Sequence, residues 1–509
     1  MTVAATPISR LSQPVPNGWL MALLTAWLGI DQLLLWRFLN LMPAWAYPLG
    51  ALVIASLAVA VARSMPRADG PRPATLALCV VIALLLLILG GEGRFLYANI
   101  DWQVRFAVLR DLRINPWPFA YQAGGATELL RAPIGMFLLP ALLGKAAGPG
   151  AADMALLLQN ALLLGIVLAL GSTLFSSPRA RLLALTVFLL FSGLDALGRL
   201  LFRGGLSDHL ENWAYLQFSS TITLAFWVPQ HALAGWIGAL GYLLWRDGRA
   251  SPAGWLTPLP LSALWSPLGL AGALPFAALA GLRCLIARTL RPADIILPGI
   301  ASIIALPSLL YLAASAGGSV GAHGAGINPV QWFSFELLEI LVYAIPLALF
   351  ARNGRFGTDS LILVLAWLLI VPFLRIGWST DFMMRASISA LAILAVLVAD
   401  ALIAVPRLRP WLGVALLIGS VTGLHEIARA FAHPAAPQVR CDLVRGWDFG
   451  AIDLGRRHPG DPPSPKGTYL APLDSVPAII RPIAPYPADM TVSPRCWDGH
   501  WYHPDEGAD

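Results

Sequence analysis

Long apolar runs separated by short polar turns dominate this chain. They fall at about 19–38, 46–64, 74–91, 127–147, 151–175, 180–202, 220–245, 254–269, 271–289, 293–315, 335–352, 358–376, 384–405 and 410–431. Most are long enough to cross a hydrocarbon core of ~30 Å as a helix. The pattern predicts an all-α, polytopic helical membrane protein. Two polar stretches interrupt it, from Glu92 to Ala126 and from Arg203 to Ser220, and a polar tail runs from His433 to Asp509. The division is a multi-span domain over 1–432 and a small irregular tail over 433–509. No internal repeat is visible, unlike many transporters, which are built from repeated halves.

Composition agrees. The 509 residues are 57% hydrophobic and only 12% charged, against about 25% charged in soluble chains. The net charge of +6 does not point to nucleic acid, because the basic residues are scattered through short turns. They read as topology marks instead. Arg63, Arg67 and Arg72 mark one inner turn; Arg179 with Arg181, Arg246 with Arg249, Arg283 with Arg288 and Arg291, Arg352 with Arg355, and Arg407 with Arg409 mark the others. Alternation then puts the N-terminus inside and the tail outside, but needs an odd number of crossings between residues 92 and 179, where two runs lie. One of them is re-entrant, broken or peripheral. Gly135, Pro140, Gly144, Gly148 and Pro149 make 127–147 the better suspect. The expectation is about 13 crossings. The first run lacks a small-residue cleavage site and reads as a span, not a removable leader. Cys441 and Cys496 lie in the tail and are expected to pair if it faces an oxidising compartment.

Four polar clusters could carry chemistry. In the first loop, Phe106, Leu109 and Leu112 recur at helical spacing opposite Arg105, Arg110 and Asp111. That predicts an amphipathic helix on the bilayer surface. Asp101 stands at its start, as a capping residue or as a carboxylate held at the membrane surface. The second cluster is Asp208, His209 and Glu211 beside Trp213. It suits a solvated loop, acid/base work, or a divalent cation (magnesium or manganese) on His209 and Glu211. The third is Gln230-His231 on an apolar run, where polar groups need a partner or an aqueous cavity. The fourth is Asp381 with Arg385, four apart, a brace or a grip on phosphate. Arg131 is a further phosphate candidate. Asp31, Asp195, Glu336 and Glu339 read as structural. No Walker, dinucleotide, zincin or G-x-S-x-G motif occurs.

Asp101-Trp102, Leu109-Arg-Asp111-Leu112 and Trp117-Pro118 together resemble the GT-C superfamily of polytopic glycosyltransferases. Asp208-His209-Leu-Glu211, Trp227-Val-Pro-Gln230-His231, Leu264-Trp-Ser-Pro267 and Asp381-Phe-Met-Met-Arg385-Ala-Ser look like a bacterial GT-C-like group. The likeness covers about 15–430. The chain departs in having three apolar segments before the first loop, a second acid only at Asp111, and a short tail. The resemblance implies a bacterial cytoplasmic-membrane enzyme that takes sugar from a polyprenyl-phosphate-linked donor to a glycan, lipid or protein acceptor on the outer side. It makes Asp101 the base, Glu211 and His209 further catalytic candidates, and Arg105, Arg131, Asp208, Gln230, His231, Asp381 and Arg385 the substrate-binding set. A lipid-sugar flippase or other transporter is the alternative.

Overall fold

The computed structural model describes residues 13–67, 70–123, 125–206, 209–314, 320–322, 327–351, 354–376, 380–453, 469–490, 493, 495–499 and 501. Its helices are α1 (Asn17–Leu39), α2 (Ala46–Ser64), α3 (Pro73–Leu89), α4 (Asp101–Ile114), α5 (Gly135–Ala147), α6 (Pro149–Ser172), α7 (Pro178–Leu189), α8 (Asp195–Arg203) and α9 (Thr221–Trp227). They continue with α10 (Pro229–Arg246), α11 (Pro267–Ile286), α12 (Pro292–Ala313), α13 (Pro329–Phe350), α14 (Thr358–Ile370), α15 (Asp381–Ala386), α16 (Ile388–Ala404), α17 (Arg409–Ala432) and α18 (Leu443–Asp453). Their ends follow local rules. Asn40 closes α1 with φ 54°, a left-handed conformation that asparagine tolerates. Ser177, Ser220 and Ser266 cap α7, α9 and α11 by accepting backbone N–H groups.

Among the described residues seven helices are long and apolar enough to cross a bilayer: α1, α2, α6, α11, α12, α13 and the segment Pro406–Ala432 that contains α17. Their outward side chains are apolar and bare, as with Ile303 at 72% and Leu417 at 73% exposure. Such a belt suits hydrocarbon, not water. The interior holds polar residues with partners. Trp265 Nε1 donates to Asp31 at 2.7 Å, and Asn160 Nδ2 donates to Glu92 at 3.0 Å.

Several predicted runs come out differently. The run 127–147 begins in a strand, and its helix α5 has 13 residues, about 20 Å at 1.5 Å per residue, too short to span. The run 180–202 breaks into α7 and α8. The run 220–245 breaks at Val228, before Pro229, because proline supplies no N–H to continue the ladder. The run 254–269 is a series of short turns at Pro252–Leu256, Pro258–Leu261 and Ser262–Leu264, split by prolines, before α11 starts at Pro267.

The larger correction concerns the loop and the tail. Helix α4 does not lie bare on a membrane surface. It packs against α5 on one side and α18 of the tail on the other, so Trp102, Phe106, Leu109 and Leu112 are all buried. Nor is the tail irregular. Strand β1 (Phe119–Ala123) pairs with β2 (Ala126–Leu130) in a hairpin, with Ala120 opposite Leu129. Numbering strands in chain order, Val320–Ala322 and Leu374–Ile376 are β3 and β4, a separate pair. The tail strands β5 (Leu470–Pro472) and β6 (Tyr486–Pro487) flank the hairpin, giving the order β5-β2-β1-β6. Cys441 and Cys496 are disulfide-bonded. First loop and tail are therefore one folded cap, tied together by the Trp501 indole donating to Ala98 O at 2.8 Å.

Candidate functional site

The site is organised by the break at Pro229. A broken helix leaves carbonyls without intrahelical donors. Here α4 and the turn that precedes it supply them. Phe226 O accepts from Asn99 Nδ2 at 3.0 Å and Trp102 Nε1 at 2.8 Å, and Trp227 O accepts from Arg105 Nη1. Arg105 is buried, and its Nη2 donates to Asp101 at 2.9 Å, one turn back. The Asp101 side chain is 41% exposed. Thus the guanidinium is anchored from below while the carboxylate at the first turn of α4 stays reachable.

A second pair of the same spacing stands nearby. Asp381 opens α15, and Arg385 Nη1 donates to its carboxylate and to its carbonyl. The tail ties the two together. Burial pushes the Tyr469 phenol above its ordinary value, and the charges of Arg105, Asp101, Arg385 and Asp381 all act on it. The carbonyl of Tyr469 accepts from the Arg131 N–H at 2.6 Å. Arg131 follows β2 directly, and Tyr311 braces that turn by donating to Leu130 O and accepting from Ala132 N.

Beneath lies the start of α10. His231 Nδ1 is 2.8 Å from Ser266 Oγ, which already accepts the Gly269 N–H at 2.8 Å. The Ser266 hydroxyl therefore fixes the imidazole ring against the start of α11. The charges of Arg385 and Arg105 reach His231 as well. The amide oxygen of Gln230 is buried and has no hydrogen-bond partner among the described residues. An unmet buried acceptor costs about 1–3 kcal/mol, so this is a place where a donor is missing.

Asp101, Arg105, Arg131, Gln230, His231, Asp381 and Arg385 are thus brought to one region. His209 and Glu211 are not: they lie beyond Trp227. The His209 ring is 5.1 Å from the Trp227 ring, and Trp227 Nε1 donates to Glu426 at 2.9 Å. Glu211 is buried, with Ser220 N donating to one oxygen at 2.8 Å and Gln217 Nε2 to the other at 3.0 Å. Burial first, then the Asp195 carboxylate beside it, pushes the Glu211 carboxyl up to about 8. Among the described residues, no group of three or more His, Cys, Asp or Glu side chains is placed to hold a metal ion. Asp208 lies outside the described residues.

Two site residues escaped the sequence reading. Ser266 sits in the Leu264-Trp-Ser-Pro267 stretch, and its Ser-Pro start was the signal for a capping serine close to a helix break. Tyr469 carries no such mark in the Pro-rich tail. No family model, no curated protein and no solved structure matches this chain.

Proposed function

We propose that this protein is a membrane glycosyltransferase that moves a sugar from a polyprenyl-phosphate-linked donor to an acceptor hydroxyl at the face carrying the cap. The observation that carries the reading is the convergence of two Asp-x-x-x-Arg pairs, Asp101 with Arg105 and Asp381 with Arg385, on Tyr469. Each pair joins a carboxylate to a guanidinium anchored by further contacts to backbone carbonyls. Such a site suits a reaction that removes a proton at one point and gathers phosphate charge at another.

In this reading Asp101, the most exposed of the four, takes the proton of the acceptor hydroxyl as its oxygen bonds to the anomeric carbon. The bond from that carbon to the phosphate oxygen breaks, and polyprenyl phosphate leaves. Arg385 and Arg131 receive the phosphate, and the His231 ring with the Gln230 amide holds sugar hydroxyls. No step uses a cation. His209 and Glu211 serve to position Trp227. The cap then lies outside the cytoplasmic membrane, the N-terminus inside, and the shorter apolar helices α3, α14 and α16 complete some of the expected 13 crossings.

The test is transfer from a polyprenyl-phosphate sugar in membranes carrying the Asp101→Asn protein. Loss of transfer with normal folding supports the reading. Retained transfer removes Asp101 as the base. If transfer is intact but lipid-linked sugar no longer changes sides of the membrane, the transporter reading replaces this one.

A further inference from the structure

The end of the bundle away from the cap has a cavity of its own. Helix α3 runs from Arg72 to Gly90, and Gly90 touches Phe226 under the cap, so Arg72 marks the opposite end. There, α3, α6, α7, α10 and α16 enclose a crevice of about 690 Å³, within the range of small-molecule sites. Its floor is apolar, with Trp236 and Leu240 buried. Its rim is apolar and bare, with Leu78 at 58% and Leu182 at 66% exposure. An opening between such side chains faces hydrocarbon, so what enters comes from the membrane.

The polar end of the crevice is positive throughout. Among the described residues, Arg72 and Arg181 both line it, and no aspartate or glutamate does. Neither arginine has an acidic partner among the described residues, whereas at the same end Arg246 and Arg283 bind Asp359, and Arg355 binds Asp400. Arg181 is held in place by its Nε donating to Phe175 O at 2.8 Å, which leaves its terminal nitrogens open. The first turns of α3 and α7 lie at this end too, adding two helix N-termini to the field.

We propose that this crevice binds one anionic phospholipid of the leaflet on the arginine side. Its phosphate sits between Arg72 and Arg181, and an acyl chain runs over Leu78 toward Trp236. Two guanidiniums without acidic partners among the described residues match a phosphodiester, and an apolar floor open to the bilayer matches its chain. The site is separate from the one under the cap and does not depend on the glycosyltransferase reading.

Native mass spectrometry of the full-length protein in detergent, given equal phosphatidylglycerol and phosphatidylcholine, tests this. The wild type retains phosphatidylglycerol preferentially. Arg72→Gln with Arg181→Gln lowers that preference about tenfold or more, in line with ~1 kcal/mol per basic residue near anionic lipid. Gly171→Phe fills the crevice, since a Cβ there meets only Leu240 at 3.8 Å, and lowers retention of both lipids. Both arginines lie at the rim, so the double variant decides the matter even if Gly171→Phe does not fold. An unchanged preference in the double variant overturns the proposal. So does displacement of the lipid by soluble glycerol 3-phosphate alone, which would make this an ordinary anion site.

Discussion

Two polar regions of this molecule lie on either side of Trp227, built from the same residue types and put to opposite use. On one side Asp195, Glu339, Glu211 and Glu426 are all buried, each held by at least one donor. Ser192 and Thr422 donate to Asp195 at 2.7 and 3.0 Å, Trp213 Nε1 donates to Glu339 at 3.1 Å, and Arg429 donates to Glu426 at 2.8 Å. Glu339 sits in the π-helical turn Leu337–Leu341 of α13, and its carboxyl fills the space that a side chain at Gly193 would need. On the other side the carboxylates of Asp101 and Asp381 remain 41% and 27% exposed, while Arg105 is buried beneath them. A carboxyl buried between helices and fixed by donors from several of them holds those helices together and is out of reach of a substrate. One paired on a single side and open on the other can take a proton. Accessibility separates the two regions where residue type does not.

That comparison can be broken at several points. The largest expected effect is Asp101→Asn, which lowers transfer by about 10²- to 10⁴-fold, the usual worth of a positioned base. Glu211→Gln lowers it by less than tenfold in the same assay, because the amide can replace a buried acid. Equal losses would erase the distinction between the two regions. Next, Cys441→Ser with Cys496→Ser, which frees a 55-residue separation, costs roughly 4 kcal/mol of cap stability by loop-closure entropy. Thermal unfolding followed by tryptophan fluorescence reads it, with the bundle's own transition unmoved.

A pH series sharpens the closed side. The Glu211 carboxyl, pushed up to about 8 in the fold, lies near 4.3 in an unfolded chain. The folded state therefore binds the extra proton between those values. Glu211's contribution to stability is fully present below about pH 4 and is lost as pH rises through 8. The expected fall between pH 5 and pH 8 is on the order of a few kcal/mol, seen as a declining unfolding midpoint that Glu211→Gln flattens. The smallest effect belongs to Tyr469→Phe. Removing one hydroxyl costs about 1 kcal/mol, a several-fold rise in KM with kcat little changed.

Much of this site can be read from the chain, and the limits are physical. Asp101 at the head of a helical pattern announces an accessible acid, whereas the run 220–245 reads as one element and its break at Pro229 is shown by the structure. The glycines and prolines of 127–147 warn against a full crossing. What stays hidden is whatever depends on distant partners. Strand β2 is five residues of Ala126-Thr-Glu-Leu-Leu130, read in the sequence as the start of an apolar run, and it pairs with Phe119–Ala123 on one side and with the distant Leu470–Pro472 on the other. Periodicity marks one apolar face on α4, but both faces are covered, because α18 arrives from more than three hundred residues away. His209 and Glu211 look like chemistry from their spacing. Only their donors, Gln217 and Ser220, show them as closed.

The cap also sets an order of events. Asp111 Oδ2 accepts the Leu443 N–H at 2.8 Å, and Arg131 N–H reaches Tyr469 O, so a loop made early waits for a segment made last. Until residues 443–469 have been made, the helices from α1 to α17 can be in place while the wall that Tyr469 lends to this region is absent. The cap therefore closes after the bundle beneath it, as one late step of folding.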